Sequence, residues 1–360
     1  MMSEVKHLYV HVPFCNSICF YCDFCHRIYD RKIARKWLKR LEKEISDTLQ
    51  PGYETIYIGG GTPTALEYDI LKMLLELLKP YSRQACEYTI EANPESLDED
   101  KIALMKEYGI NRVSVGIQST DPVLLRSLNR KHDFELIKEK IALLKEYGLD
   151  NISVDLMYSL PGQTMELLQK TLDDILSLQV PHISIYALTI EENSVFGRQG
   201  INALDEDTEA DMYERIEQVL TASGYRHYEI SNYCKEDCHS RHNIAYWNYE
   251  DFIGISLAAA SKVGNHRYTN TRSFERYFHD KDILEEDLYL DTKEQMFEHL
   301  MMSLRTDTGL DIASFEQRYG CKLIEEYPQA VRHPQIVIDQ GRMYCKNREI
   351  LNTVLLDFME

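Results

Sequence analysis

The sequence predicts an α/β protein with an open, partial barrel of six parallel strands and a small α+β, winged-helix-like domain after it. Six short β-branched runs recur in the first 200 residues, each followed by a segment with apolar residues at helical spacing. This alternation favours a parallel sheet with crossover helices, and six units are too few to close an eight-fold barrel. The predicted strands lie at residues 8–12, 55–60, 87–93, 112–119, 151–158 and 182–190.

Beyond residue 200 the pattern changes. We predict a helix ending at Gly224, a single strand in "HYEISNY", and a loop-rich stretch that contains "HNIAYW". Two helices from about residue 290, a hairpin turning at Gln340-Gly341 and a closing helix suggest the winged-helix-like shape. The predicted domains are a barrel over 1–200, an extension with the "HNIAYW" motif over 201–285, and a C-terminal domain over 286–360.

Composition excludes several classes of function. The chain carries 40 basic and 59 acidic residues, a net charge of −19, which argues against nucleic acid as a partner. It contains no run of 18 apolar residues and no signal-peptide pattern at its start, so we expect a cytoplasmic protein without a transmembrane segment. In a reducing compartment, its nine cysteines favour metal or redox chemistry over disulfides.

The cysteine motif in "YVHVPFCNSICFYCDFCHR" directly follows the first predicted strand. Three residues separate Cys15 from Cys19, two separate Cys19 from Cys22, and two more lead to Cys25. Thiolates suit zinc or iron–sulfur clusters, but a structural zinc site usually takes two separated pairs, and no second CxxC pair occurs. Three thiolates suit a four-iron cluster that leaves one iron open. Incidental buried cysteines remain an alternative.

This motif resembles the signature of the radical S-adenosylmethionine (SAM) superfamily. The surrounding residues resemble the subgroup that contains oxygen-independent coproporphyrinogen III oxidases and HemW-like heme chaperones, over nearly the whole chain. The resemblance implies a [4Fe–4S] cluster on Cys15, Cys19 and Cys22, with SAM at the open iron and radical cleavage of SAM as its chemistry. In the oxidases a single residue separates the third cysteine from the fourth (CxC), whereas two residues separate Cys22 from Cys25. We therefore predict that Cys25 is not a ligand.

The resemblance also implies a SAM pocket at the ends of successive strands. "GGGTPT" follows the second predicted strand, where glycine lets backbone approach a ligand. His11 is a further candidate for contact with the cluster or SAM. The implied SAM contacts are Tyr9, Tyr21, Gly60, Gly61, Thr62, Glu91, Gln118, Arg130, Asp155 and Ala187.

Three functions fit this subgroup. We favour a heme chaperone, because only 14 residues precede Cys15 and the CxC of the oxidases is missing. In addition, "HNIAYW" fits an HNxxYW pattern that is associated with heme binding in HemW-like proteins. This match implies His242 as the heme ligand. The motif could instead be an aromatic-rich loop packed under the barrel. The alternatives are a coproporphyrinogen III dehydrogenase, which decarboxylates propionates, and a diverged enzyme acting on another tetrapyrrole.

Two departures from the subgroup bear on the ligand. The first is "GISLAAAS", residues 254–261, which differs from the relatives' sequence and predicts a changed pocket shape. The second is a weak candidate for a separate metal site, formed by Cys234, Cys238, His239 and His242. The resemblance implies heme, a heme-accepting protein and an electron donor as partners. It is compatible with a homodimer and with transient membrane association.

Overall fold

The computed structural model describes residues 5–358 of the 360-residue chain. The described residues form 17 strands and 14 α-helices. The strands are β1 (His7–Val12), β2 (Phe14–Cys15), β3 (Arg27–Ile28), β4 (Thr55–Gly60), β5 (Glu87–Ala92), β6 (Arg112–Gln118), β7 (Ile152–Tyr158), β8 (His182–Ala187), β9 (Arg226–Glu229), β10 (Asn232–Cys234), β11 (Phe252–Ile255), β12 (Ala260–Val263), β13 (His266–Asn270), β14 (Leu284–Tyr289), β15 (Leu310–Asp311), β16 (Ile336–Asp339) and β17 (Arg342–Cys345). The helices are α1 (Arg31–Thr48), α2 (Tyr68–Leu78), α3 (Glu99–Glu107), α4 (Pro122–Ser127), α5 (Phe134–Glu146), α6 (Met165–Ser177), α7 (Val195–Gln199), α8 (Glu206–Ala222), α9 (Arg241–Trp247), α10 (Phe274–His279), α11 (Thr292–Ser303), α12 (Ile312–Tyr319), α13 (Leu323–Glu326) and α14 (Leu351–Leu355).

The six predicted strands form the centre of one large sheet. Strands β1, β4, β5, β6, β7 and β8 lie side by side in that order, all parallel, which confirms the predicted α/β architecture. Crossover helices connect them, and α1, α3 and α5 begin directly after Asp30, Asp98 and Asp133, whose carboxylates each accept a hydrogen bond from the third helical N–H. The last strand ends at Ala187, three residues before its predicted end.

The region after residue 200 extends the sheet at both edges. Strand β11 adds a seventh parallel strand beside β1, and β12, β13 and β14 continue antiparallel from it. At the opposite edge β10 and β9 pair antiparallel next to β8. The single strand predicted in "HYEISNY" was wrong, because the chain turns at residues 230–231 and pairs with itself. The stretch predicted to be loop-rich contains α9 and short strands, whose four to seven residues give too little periodicity to detect.

Each central strand alternates between apolar and polar side chains. The apolar residues, such as Leu8, Ile56 and Ile183, are fully buried in the main core. The alternate residues, such as His7, Glu87 and Arg112, are polar and are also buried. Parallel sheets are usually apolar on both faces, so the polar inner face marks this barrel as a container for polar groups.

The "HNIAYW" segment forms α9, which packs against the amino ends of the barrel strands. The carboxylate of Glu87, the first residue of β5, accepts hydrogen bonds from the backbone N–H groups of Arg241 and His242, both at 2.9 Å. Glu87 is 3 % exposed, so these N–H groups satisfy a carboxylate that water does not reach. The motif therefore lies under the barrel, as one of the two sequence-based interpretations predicted, but as a helix.

The C-terminal part has its own core. Helices α11 and α12 pack with the three-stranded sheet β15-β17-β16 around Leu300, Phe315 and Met343, each fully buried. The predicted hairpin turn at Gln340-Gly341 is present, and both residues have positive φ, as a tight two-residue turn requires. The domain limits 1–200, 201–285 and 286–360 stay a prediction. In residues 5–358 no helix is long and apolar enough to cross a membrane.

We predict that Glu87→Gln lowers the free energy of unfolding by about 1–3 kcal/mol, because an amide NH₂ would face backbone donors that now bind a carboxylate. The measurement is urea unfolding, together with hydrogen exchange of residues 241–247, which we expect to accelerate. The control is Glu107→Gln, at an exposed position of α3. Equal stability of the two variants would show that Glu87 does not hold α9 in place.

Candidate functional site

A cavity of about 480 Å³ occupies the barrel and opens near the carboxyl ends of its strands. This volume lies in the usual range for small-molecule and cofactor sites. Twelve of the residues predicted from the sequence line it, from both the cysteine loop and the strand ends. They are Cys15, Cys19, Tyr21, Cys22, Gly60, Gly61, Thr62, Glu91, Gln118, Arg130, Asp155 and Ala187.

The three cysteines of the motif line one side of the cavity. Thr62 donates its hydroxyl hydrogen to the Cys15 sulfur at 3.6 Å, and the Arg130 guanidinium donates to the Cys19 sulfur at 3.5 Å. Burial raises the pKa of Cys15 to about 12 and that of Cys22 to about 11. Thiolates at these positions therefore need a cation such as iron to stabilise them.

The donor set fits an iron–sulfur cluster. Thiolates are the usual ligands of such clusters. In residues 5–358 no three His, Cys, Asp or Glu side chains converge on a point where one metal ion could sit. The side chains of Cys15, Cys19 and Cys22 all line the cavity.

Cys25 faces away from the cavity. Its sulfur lies 3.4 Å from the backbone carbonyl of Arg272, and its side chain is buried in the main core. Its own carbonyl accepts a hydrogen bond from Nε2 of His11 at 2.7 Å, and Nδ1 of His11 lies 3.0 Å from the Tyr9 hydroxyl. Burial lowers the pKa of His11 to about 4, so the ring is neutral, donates through Nε2 and accepts from Tyr9 through Nδ1. His11 and Tyr9 thus hold the cysteine loop from beneath.

The "GGG" turn is glycine-rich because of packing within the protein. A Cβ on Gly60 would lie 2.4 Å from the His11 ring, and one on Gly61 would lie 2.6 Å from the Phe14 carbonyl oxygen. Gly60 also has φ +108°, a conformation that side chains rarely adopt. The glycines therefore allow the turn to press against β1 and the cysteine loop, in addition to the close ligand approach expected from the sequence.

Two carboxylates, Glu91 and Asp155, face the cavity from neighbouring parts of the sheet. Glu91 accepts hydrogen bonds from the Tyr57 hydroxyl at 2.8 Å and from the Gly60 N–H at 3.0 Å. Asp155 accepts from the Ser114 hydroxyl, whose oxygen lies 3.0 and 3.1 Å from its two oxygens. Burial raises the pKa of Glu91 to about 7 and also raises that of Asp155. Both groups can accept hydrogen bonds from a ligand's hydroxyls.

A bulge at the end of β6 positions the next two predicted residues. The register of β6 against β7 shifts between Gly116 and Gln118, and Gln118 has φ +69°. The Arg130 guanidinium lies over this bulge, where it donates to the Gly116 carbonyl and, at 2.9 Å, to the Asn93 side chain. Its Nε is buried without a hydrogen-bond partner in the described part of the chain, so a ligand carboxylate could satisfy it.

Tyr9, His11 and His242 are the predicted site residues that do not line the cavity. His242 is 1 % exposed, and its Nδ1 and Nε2 lie 2.7 Å from the hydroxyls of Thr55 and Tyr246. Burial lowers its pKa to about 3, so the ring is neutral. In this conformation neither ring nitrogen is available to a heme iron.

Several cavity residues were missed in the sequence. Most of them lie on β4, β6 and β8 and follow the same inward-facing alternation as Glu91 and Asp155, so the alternation itself would have found them. Asn243 is different, since it comes from α9 below. These residues are Tyr57, Arg112, Ser114, Ser184, Tyr186 and Asn243.

Two other expectations do not involve the cavity. The predicted change of pocket shape by residues 254–261 was wrong, because this segment forms the turn between β11 and β12 and lines no part of the cavity. Its Ser256 instead accepts a hydrogen bond from the Trp37 indole at 2.8 Å. Within residues 5–358, Cys234, Cys238 and His239 are not arranged around a common metal position.

Comparisons with known proteins agree with the fold. A family model described as the radical SAM superfamily matches residues 9–175, and one described as the HemN C-terminal domain matches residues 290–341. The solved structure of coproporphyrinogen III oxidase (HemN) from Escherichia coli, described as a radical SAM enzyme, superposes with a TM-score of 0.86 over 99% of this chain and 90% of that one. The two are 22% identical, so this likeness shows a shared fold.

Two curated relatives are similar in sequence over most of their length. Heme chaperone HemW from Lactococcus lactis subsp. lactis is 33% identical over 97% of this chain and 94% of its own. Heme chaperone HemW from Bacillus subtilis is 35% identical over 91% of this chain and 90% of its own. With these near-full-length matches and its three-cysteine barrel, the chain belongs to the HemW family of the radical SAM superfamily.

Proposed function

We propose that the protein is a heme chaperone that binds heme and delivers it to acceptor proteins. The observation that carries the proposal is sequence identity of 33–35% with two relatives named heme chaperones, over at least nine tenths of each chain. The cavity adds physical support, because three thiols, four carboxylates and two arginines line it together. An acceptor protein and an electron donor are the partners that this function requires.

We propose that Cys15, Cys19 and Cys22 hold a [4Fe–4S] cluster and that the adjoining strand ends bind SAM. A reduced cluster in this superfamily supplies the electron that cleaves SAM. Arg130 would bind the methionine carboxylate through its unpartnered Nε, and Glu91 and Asp155 would accept hydrogen bonds from the ribose hydroxyls. The other proposed SAM contacts in the cavity are Tyr21, Gly60, Gly61, Thr62, Gln118 and Ala187, with Tyr9 behind them.

A second candidate function is oxygen-independent coproporphyrinogen III dehydrogenation. The reason to consider it is the fold that the chain shares with the Escherichia coli oxidase. The thiol of Cys25, the fourth cysteine of the motif, is directed to a backbone carbonyl away from the cavity. We therefore place this function after heme delivery.

We predict that the cluster-reconstituted protein binds heme stoichiometrically under anaerobic conditions, passes it to a heme-free globin used as reporter, and does not turn over coproporphyrinogen. Because both nitrogens of His242 are bound inside the protein, we expect His242→Ala to lower thermal stability while the Soret band at low temperature is retained. The measurements are Soret titration and thermal unfolding. Loss of the band from a folded His242→Ala protein would contradict this expectation, because heme binding would then depend on His242 or on the α9 helix that carries it. Turnover of coproporphyrinogen without heme transfer would replace the chaperone function with the oxidase one.

We predict that Cys15→Ser, Cys19→Ser and Cys22→Ser each greatly reduce the iron and sulfide bound after reconstitution, since each removes one soft ligand. Cys25→Ser is the matched control from the same loop and should retain the wild-type content, because its sulfur faces the Arg272 carbonyl. Iron and sulfide analysis with visible absorbance makes the comparison. Cluster loss in Cys25→Ser alone would contradict the ligand assignment.

We predict that Glu91 makes stability depend on pH in the cluster-free protein. Its folded pKa of about 7 lies above the ordinary value of 4.5, so the folded state holds a proton that the unfolded state has lost between these values. The contribution of Glu91 is therefore largest below pH 4.5 and is lost as pH rises through about 7. Urea unfolding across this range should give a smaller decline for Glu91→Gln than for wild type.

The control for this pH dependence is Glu229→Gln. Burial also raises the pKa of Glu229 to about 7, and this residue does not line the cavity. Bound SAM should reduce the loss of unfolding free energy with pH that is due to Glu91, because ribose hydroxyls favour the charged carboxylate. It should leave the loss due to Glu229 unchanged. Parallel curves for wild type and Glu91→Gln would contradict the prediction.

A further inference from the structure

Arg112 is a buried cation at the opposite end of the cavity from the cysteines. It is the first residue of β6, is 2 % exposed and lines the cavity. No carboxylate in residues 5–358 lies within ion-pair distance of it, and its Nε is buried without a hydrogen-bond partner there. Burial of an unpaired charge is costly, so an anion is the missing element.

The cavity carboxylates Asp155 and Glu91 already have hydrogen-bond partners. Asp155 lies within electrostatic reach of Arg112, but both its oxygens face the Ser114 hydroxyl. Glu91 accepts from Tyr57 and the Gly60 N–H. Neither carboxylate forms an ion pair with the guanidinium, which leaves a place for an anion from a bound molecule.

The two cavity arginines lie at different depths. Arg130 donates to the Gly116 carbonyl and to the sulfur of Cys19, near the cluster loop. Arg112 precedes Gly116 by four strand residues, a distance of about 13 Å along β6. The two arginines therefore enter the cavity from different levels, which allows two separate carboxylate positions.

We propose that Arg112 binds a carboxylate of the molecule that occupies the lower cavity, where Asn243 of α9 also lines the cavity. This rests on the proposed function and deepens it. A propionate of the tetrapyrrole is the source we favour, because the SAM carboxylate has Arg130 near the cluster. The methionine carboxylate of SAM is the other source of the same chemistry.

The test compares wild type with Arg112→Gln and Arg112→Met, and uses Arg276→Gln as a control on the exposed surface, where Arg276 pairs with Asp280. Each protein is titrated separately with heme, with heme dimethyl ester, whose propionates are uncharged, and with SAM. We expect Arg112→Gln to weaken heme binding about 10- to 100-fold, to the level of the ester, with SAM binding unchanged. Weakened SAM binding alone would assign the carboxylate to SAM. Unchanged affinity for both ligands would overturn the proposal.

Thermal unfolding of the ligand-free proteins gives an independent readout. If Arg112 is held for a ligand, Arg112→Met should melt at the wild-type temperature or above, because an unpaired buried charge is removed. A clearly lower melting temperature would show that the guanidinium is a structural partner and would overturn the proposal. If wild type binds SAM but no heme or ester, the proposed function fails, and the SAM titration alone then decides whether Arg112 binds a carboxylate.

Discussion

The structure depends on one constraint, which is that the inner face of a parallel barrel carries polar side chains that water scarcely reaches. Each such group must find a partner inside the protein or in a ligand, since leaving it bare costs more than the bond itself returns. At the amino ends of the strands the partners are internal. His182 lies 2.8 Å from both the Ser153 and Tyr228 hydroxyls, and Glu87 receives the N–H groups that begin α9. These bonds close the lower end of the barrel.

At the carboxyl ends the same constraint is met only in part, and the remainder forms the site. Glu91 and Asp155 have internal donors but keep pKa values raised by burial. Arg130 keeps a buried Nε without a partner in the described chain, and Arg112 does the same at the amino end of β6. Unsatisfied groups of this kind mark positions where a ligand completes the hydrogen bonding. The cysteine loop is fixed at this end by His11 and by the glycine turn, which leaves its three thiols beside those groups.

Most of the barrel and much of the site could be predicted from the sequence. The six strands have β-branched residues and intervening amphipathic helices, so pattern alone located them within a few residues. The cysteine motif and the family resemblance that starts from it identified twelve cavity residues. The interior residues Tyr57, Arg112 and Ser184 lie before the strand ends and belong to none of the motifs that identified the other residues. The period-2 alternation nevertheless places them on the inner face.

The position of His242 could not have been derived in this way. The helix α9 that contains its motif has only seven residues, too few for a periodic signal. Two of the residues that bind His242, Thr55 and Glu87, are also distant from it in sequence. Its neighbour Asn243 does line the cavity, so α9 serves both the floor of the site and the closure of the barrel. A motif that closes the floor affects ligand binding even when its histidine never meets the ligand, because release of α9 would admit water to the groups around Arg112 and weaken every electrostatic contact there.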